Sequence, residues 1–400
     1  MEKRYKVVLW GAGLYGKKIY RMLHKPEIDI IAWIDNDPKK SGREENDIMI
    51  LQADSLLGLE FDYLIITPEG YRSQIKQQCL QMGVSEEKII DYWDYNIELR
   101  VDFIDTFERD KLREEQILLK KERDERAFSD MEKPIIHSAE ELLNILLKTN
   151  KSLVRFGDGE FELMQKKKRS WFQNVDEALA VRLKEIIRSN NENILVAIAD
   201  NFGDLNKYTE EAANGIAQYL TKETRTQIMS ALDISHTYYD AYVSRPYMIY
   251  KDKNYAHKIF SLLKQLWHKK NILIVEGESS RMGIGNDLFS EAGSIRRVVA
   301  PAQNAFEKYD EILHAVIEHV KNDELILISL GPTATVLAFD LALIGKRAID
   351  IGQIDNEYDW FLAKAESRIP ISGKAVAELS WCRENNDITE EYRSQIIMRV

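Results

Sequence analysis

Leu153-Val-Arg-Phe-Gly-Asp-Gly-Glu160 reads as a short apolar strand that runs into a glycine-loosened turn, with Arg155, Asp158 and Glu160 projecting from its tip. Two acids separated by one glycine do not both hide in a core. Gly157 and Gly159 remove the Cβ atoms that would crowd a ligand and permit positive φ, so both carboxylates can converge on one point. A hard divalent cation, Mn²⁺ or Mg²⁺, fits that point, because it takes carboxylate oxygens and keeps water and substrate phosphates as its other ligands. The same residues also make an ordinary helix start, with Asp158 capping and Glu160 in the first turn. Which reading holds depends on the company this turn keeps.

Downstream, strands and helices alternate with a regularity that predicts a mainly parallel sheet covered by helices on both faces. In such a sheet every strand's carboxyl end opens on one edge, where ligands bind. Six polar or glycine-rich stretches fall at those ends: Arg155 to Glu160, Asp200 and Asn201, Glu276 to Asp287, Gln303 and Asn304, Gly331 to Thr335, and Asp355 to Asp359. Together they imply one large site. Gly331 and Thr333, at a helix start, offer backbone amides and a hydroxyl to an anion. Arg281, in a loop with Gly283 and Gly285, is suited to fork onto a diphosphate, with Arg155, Asn286 and Asn304 as further ligand-binding candidates. Asp355, Glu357 and Asp359 supply spare carboxylates, one of which could take the proton from an acceptor hydroxyl; the alternative is a charged loop that caps a C-terminal helix.

Upstream, strand Tyr5–Trp10, Gly11-Ala-Gly-Leu-Tyr-Gly16, a helix, strand Ile28–Ile34 and Asp35 follow in the order of a Rossmann-like unit. There Gly11, Gly13 and Gly16 would face a nucleotide phosphate and Asp35 a ribose hydroxyl. The competing reading is a glycine turn that defines the fold and holds no ligand. The predicted organisation is residues 1–100 as this small domain, 101–135 as a charged, exposed connecting helix, 136–377 as the larger α/β domain, and 378–400 as a C-terminal tail. Ser138-Ala-Glu-Glu141 predicts a capping box at the first helix of the large domain.

Forty-four per cent hydrophobic residues in a chain of 400 are enough for two domains with cores of their own. The net charge of −11 argues against nucleic acid as the main partner. Two cysteines, Cys79 and Cys382, lie far apart without metal-ligand spacing, which fits a reducing cytoplasm. No signal-peptide pattern opens the sequence, and no apolar run reaches the about 18 residues of a transmembrane span. A soluble, cytoplasmic protein is expected.

Arg155-Phe-Gly-Asp-Gly-Glu160, Ser244-Arg-Pro-Tyr247, Glu276-Gly-Glu-Ser-Ser-Arg-Met-Gly-Ile-Gly-Asn-Asp-Leu-Phe289, Pro301-Ala-Gln-Asn-Ala-Phe306 and Gly331-Pro-Thr-Ala-Thr-Val-Leu337 resemble, in this order, the motif set of the GT-D glycosyltransferases. That family includes enzymes that extend glycans on serine-rich bacterial adhesins. The resemblance runs from about Ile136 to Ala377. It implies metal-dependent transfer of a hexose, glucose first among the candidates, from a UDP-sugar to a glycan or glycoprotein acceptor, with Asp158 and Glu160 as the metal motif. The family usually carries a histidine where this chain has Gln353, which leaves the role of that position open. The first hundred residues resemble the compact nucleotide-binding domains appended to bacterial polysaccharide-biosynthesis enzymes. Two other functions compete: an NAD-dependent sugar-modifying oxidoreductase centred on Gly11 to Gly16, and a non-catalytic nucleotide-sugar sensor. Whether the connecting helix makes a homodimer is left open.

Overall fold

The computed structural model describes residues 4–68, 71–94, 101–127, 132–166, 173–376 and 389–400. Its contacts divide the chain into two units, Met1–Arg123 and Asp124–Val400.

The first unit runs β1 (Tyr5–Trp10), α1 (Leu14–Met22), β2 (Ile28–Ile34), β3 (Glu44–Glu45), β4 (Ile48–Leu51), β5 (Tyr63–Ile66), α2 (Arg72–Gln81), β6 (Ile89–Asp91) and the start of α3 (Thr106–Ala127). The sheet order is β3-β4-β2-β1-β5-β6, parallel except for β3 against β4. Successive strand side chains point to opposite faces, so an unbroken apolar strand feeds two cores. Val7 and Leu9 of β1 join one, with Trp33 and Ile65, while Val8 and Trp10 join the other, with Ile34 and Ile66. The expected exposed connecting helix is only partly that. Val101, Phe103, Ile104 and Leu112 are buried in the first core, so the start of the segment belongs to this unit.

The second unit continues with β7 (Ile135–His137), α4 (Ala139–Lys148), β8 (Ser152–Phe156), α5 (Asp158–Met164), α6 (Glu177–Ile186), β9 (Ile194–Ile198), α7 (Glu210–Tyr219), α8 (Lys222–Ala231), β10 (Thr237–Asp240) and α9 (Lys253–Trp267). Then come β11 (Asn271–Gly277), β12 (Ser294–Ala300), α10 (Tyr309–His319), β13 (Glu324–Ser329), α11 (Pro332–Leu343), β14 (Ala348–Asp350), α12 (Ile354–Leu362), α13 (Glu390–Gln395) and β15 (Ile396–Arg399). Nine strands lie in the order β15-β12-β11-β13-β14-β8-β9-β10-β7, all parallel. Leu325 and Leu327 of β13 enter one core, Ile326 and Ile328 the other.

The predicted capping box forms at α4: Ser138 Oγ accepts from Glu141 N, and Glu141 Oε2 accepts from Ser138 N. Two expectations need correction. The stretch from Asp355 to Asp359 is a helix, α12, rather than a loop. The segment expected as a tail carries α13 and the edge strand β15, which pairs with β12.

This topology fixes where a site can be. The chain leaves β8 toward β9 and leaves β14 toward β15, in opposite directions. It also leaves β11 and β13 in opposite directions. Crevices open at such reversals, outside the strands' carboxyl ends.

Candidate active site

Asp158 stands exposed at the first position of α5, directly after β8. Glu160 turns back beneath the helix start, where its Oε2 accepts from Gly157 N at 2.7 Å. This is half of a capping box, because Gly157 has no side chain to return the bond. Burial pushes the Glu160 carboxyl above its ordinary value, and the Asp350 charge adds to that push. Gly157 has φ −106 and Gly159 lies inside the helix, so the positive φ expected of these glycines is absent.

Arg155 does not reach toward a diphosphate. Its Nε donates to Asp350 O at 2.9 Å, its Nη2 to Asp350 Oδ1 at 2.7 Å, and its Nη1 to Ser244 Oγ at 2.7 Å. It is a staple across β8, β14 and the turn after β10. Gly352, at φ +52, leaves room for that guanidinium, with which a Cβ would collide. Burial raises the Asp350 carboxyl while Arg155 holds it down.

Asp355 and Asp359, expected as proton acceptors, are structural ligands of their neighbours. Asp355 Oδ1 accepts from Gly283 N at 2.9 Å and Asn286 Nδ2 at 2.8 Å, and Asp359 Oδ1 accepts from the same Nδ2 at 2.9 Å. The Lys374 ammonium lies 2.6 Å from the other oxygen of each. Burial opposes that charge, but the two carboxylates win and raise the ammonium's pKa. Asn286 is therefore spent on the same knot, and Arg281 Nη1 donates to Gly373 O at 3.0 Å. Glu357 lies between Asp355 and Asp359 on α12. Its Oε2 accepts from Tyr247 N and Met248 N, each at 2.9 Å, whereas its buried Oε1 has no hydrogen-bond partner among the described residues. Burial pushes this carboxyl up. Trp360 is core, its indole donating to Ile369 O. Gln353 stands at the cap of α12 without a side-chain capping bond.

Across the same edge, Gly331, at φ +54, starts α11. Thr335 Oγ1 donates to Arg155 O at 2.9 Å, which ties that helix start to the end of β8. Thr333 is buried and donates to Gln173 Oε1 at 3.5 Å, and Asn304 Oδ1 accepts from Asn174 N at 2.8 Å, so both side chains serve local packing. Among the basic residues Lys166-Lys-Lys-Arg169 that follow α5, Lys166 pairs with Glu177 and the other three lie outside the described residues.

In the first unit, Asp35 closes its own turn. Its Oδ2 accepts from Ala12 N and Lys40 Nζ, each at 2.8 Å, and its Oδ1 accepts from Asp37 N. Gly11, at φ +111, lies against Thr67 and Pro68, and a Cβ on Gly16 would collide with Gly11 O. Gly13 caps α1 with no side chain. The fold itself accounts for Gly11, Gly16 and Asp35, whereas a Cβ on Gly13 would meet open space.

Among the described residues, no three His, Cys, Asp or Glu side chains form a group able to hold a metal ion by themselves. The donor chemistry at the α5 corner still fits a hard cation that draws its remaining ligands from a diphosphate and water. Asp158 offers an exposed carboxylate and Glu160 the oxygen not committed to Gly157. Sequence reading missed Asp350, Lys374 and Arg297, and met Ser244 and Glu276 only as motif positions, because their partners lie far away in sequence.

A family model described as "Glycosyltransferase GT-D fold" matches residues 153–379, and one described as "C2185-like, N-terminal" matches residues 3–90. The "Probable glycosyl transferase Gly" of Streptococcus gordonii is 41% identical over 259 residues, 64% of this chain and 36% of that protein. The "Glycosyltransferase GlyD" of Streptococcus pneumoniae serotype 4 is 35% identical over 300 residues, 71% of this chain and 36% of that protein. The chain thus spans about a third of the length of the curated relatives it matches. A solved structure described as a domain of unknown function with a distinct glycosyltransferase fold is 36% identical, with a TM-score of 0.62, over 70% of this chain and 98% of that one. A new glycosyltransferase from Streptococcus sanguinis is 38% identical, with a TM-score of 0.63, over 67% and 100%.

Proposed function

Since this chain belongs to the GT-D family of glycosyltransferases, we propose that it transfers a hexose, glucose first among the candidates, from a UDP-sugar to a saccharide acceptor in surface-glycan or glycoprotein biosynthesis. One observation carries the proposal: the exposed Asp158 and the start of α11 occupy the same corner of the sheet edge, joined through Thr335 and Arg155. A helix N-terminus offers amides and a positive dipole end to an anion. A carboxylate beside it binds that anion only through a cation. Asp158 and the free oxygen of Glu160 would hold Mn²⁺ or Mg²⁺, which supplies neutralisation of the charge that develops on the departing diphosphate.

The chain's own residues do the rest. Arg155, held by Asp350 and Ser244, fixes the strand end from which α5 departs. Asp355, Asp359 and Lys374 hold the loop of residues 278–287 against α12, and so keep one wall of the edge in place. Asp355 and Asp359 take no proton in this scheme, because their oxygens are already occupied.

Release of UDP from a panel of UDP-sugars, with Mn²⁺ and with chelator, tests the proposal. One sugar should release UDP in a metal-dependent way, and Asp158→Asn should abolish that release without moving Tm. Silence across the panel together with tight NAD binding would overturn it. That outcome would favour the oxidoreductase reading, for which the inward-turned Asp35 gives no support.

A further inference from the structure

Glu276, next to last in β11, is fully enclosed, and the side chain that answers it, Arg297 of β12, is equally buried. Glu276 Oε1 accepts from Arg297 Nη1 at 2.6 Å and from the Tyr392 hydroxyl at 3.1 Å. Glu276 Oε2 accepts from Met282 N at 2.8 Å, and Arg297 Nη2 donates to Met282 O at 2.8 Å. Arg297 Nε donates to Gln395 Oε1 at 2.7 Å, and its guanidinium lies over the Tyr392 ring, 4.8 Å from the centroid. A buried ion pair thus grips both backbone groups of one loop residue, and two side chains of α13 complete it.

The gripped residue lies between two positions of left-handed backbone, Arg281 at φ +47 and Gly283 at φ +76. Such a conformation is strained for an arginine, so the loop needs holding. On one side of Met282 the Arg281 side chain departs; on the other, Gly283 N meets Asp355. The matched glycosyltransferase family model ends at residue 379, so Tyr392 and Gln395 lie beyond it.

We propose that Tyr392 and Gln395 are positioning residues for the loop of residues 278–287, one wall of the sheet edge, and that α13 and β15 are working parts of the catalytic unit. Breaking one bond of this clamp leaves a buried charge short of a partner, which costs more than the bond's net contribution. The loop then relaxes away from its left-handed residues, and the wall of the sheet edge that it forms moves with it.

The kinetic part of the test rests on the glycosyltransferase reading; the exchange part does not. Hydrogen–deuterium exchange of the full chain is compared for wild type, Tyr392→Phe, Gln395→Leu and Gln395→Glu, the last of which keeps an acceptor for Arg297. Faster exchange at the amides of Met282 and Gly283 is expected in Tyr392→Phe and Gln395→Leu, with wild-type rates in Gln395→Glu. In turnover assays the first two variants should raise the KM for the UDP-sugar about five- to tenfold, with kcat and the acceptor KM within twofold of wild type. Unchanged exchange at the loop overturns the proposal, and so does a fall in kcat with an unmoved donor KM. If the wild-type chain releases UDP from no sugar nucleotide, the glycosyltransferase reading fails alone, and loop exchange still decides this one.

Discussion

At the scale of single residues, the edge is crowded with carboxylates whose charge the fold must control. Asp240, at the end of β10, is the clearest case. It is enclosed, accepting from the Tyr250 hydroxyl at 2.5 Å and from Tyr242 N at 2.9 Å, and burial, seconded by the Asp200 charge, pushes it up to about 6. A raised carboxyl favours the folded state while it is protonated. Its stabilisation is complete below its ordinary value of 3.8 and is lost as pH rises through about 6. A shift of that size corresponds to about 3 kcal/mol at most. Asp240→Asn cannot titrate, so its Tm relative to wild type should climb between pH 4 and pH 7. Calorimetry at several pH values checks this, and a constant difference would refute it. Arg155 teaches the complementary lesson. A cation at the carboxyl end of a strand suggested an anion ligand, but Asp350 and Ser244, far away in sequence, absorb its donors. Nothing local in Leu153 to Glu160 could announce those partners.

At the scale of elements, what was legible followed from periodicity and caps. Val7 to Trp10 and Leu325 to Ile328 are apolar at every position because both faces of each strand are covered, and such runs read as buried strands. Ser138 and Glu141 gave the start of α4 from their spacing alone. The polar composition of Asp355-Asn-Glu-Tyr-Asp359 argued for a loop. It is a helix whose acids face inward, which becomes affordable only when Lys374 and the amides of Gly283, Tyr247 and Met248 arrive. The short apolar run Ile396-Ile-Met398 was visible, yet only the parallel partner β12 makes it a strand. At α5 the capping and metal readings of Glu160 both stand, and substitution separates them. Glu160→Gln keeps an acceptor for Gly157 N and should leave Tm unchanged while weakening the Mn²⁺ dependence of UDP release. Glu160→Ala also loses the cap, at about 1 kcal/mol, or about 2 °C in Tm. Equal Mn²⁺ titration curves for wild type and Glu160→Gln would confine this side chain to capping.

At the scale of the whole molecule, the two units keep separate cores among the described residues: the clusters around Val7 and Val8 contain no residue of the second unit, and those around Val154 and Leu142 contain none of the first. Independent folding should follow, provided each piece is cut to include its whole core. The first unit therefore does not end near residue 100. Val101, Phe103, Ile104 and Leu112 are buried in the cluster with Leu9 and Trp33, and Arg109 donates to Asp94 O. Burying a large apolar side chain contributes about 1.5–3 kcal/mol, and four of them exceed the whole margin of many small domains. Residues 1–100 should accordingly be unfolded or aggregated, whereas residues 1–127 should give a cooperative melt. Residues 132–400 should melt separately and retain UDP-sugar hydrolysis. Circular dichroism melts of the three fragments, set against the calorimetric trace of the full chain, make the comparison. A cooperative melt from residues 1–100 would return the opening of α3 to the role of a solvated connector.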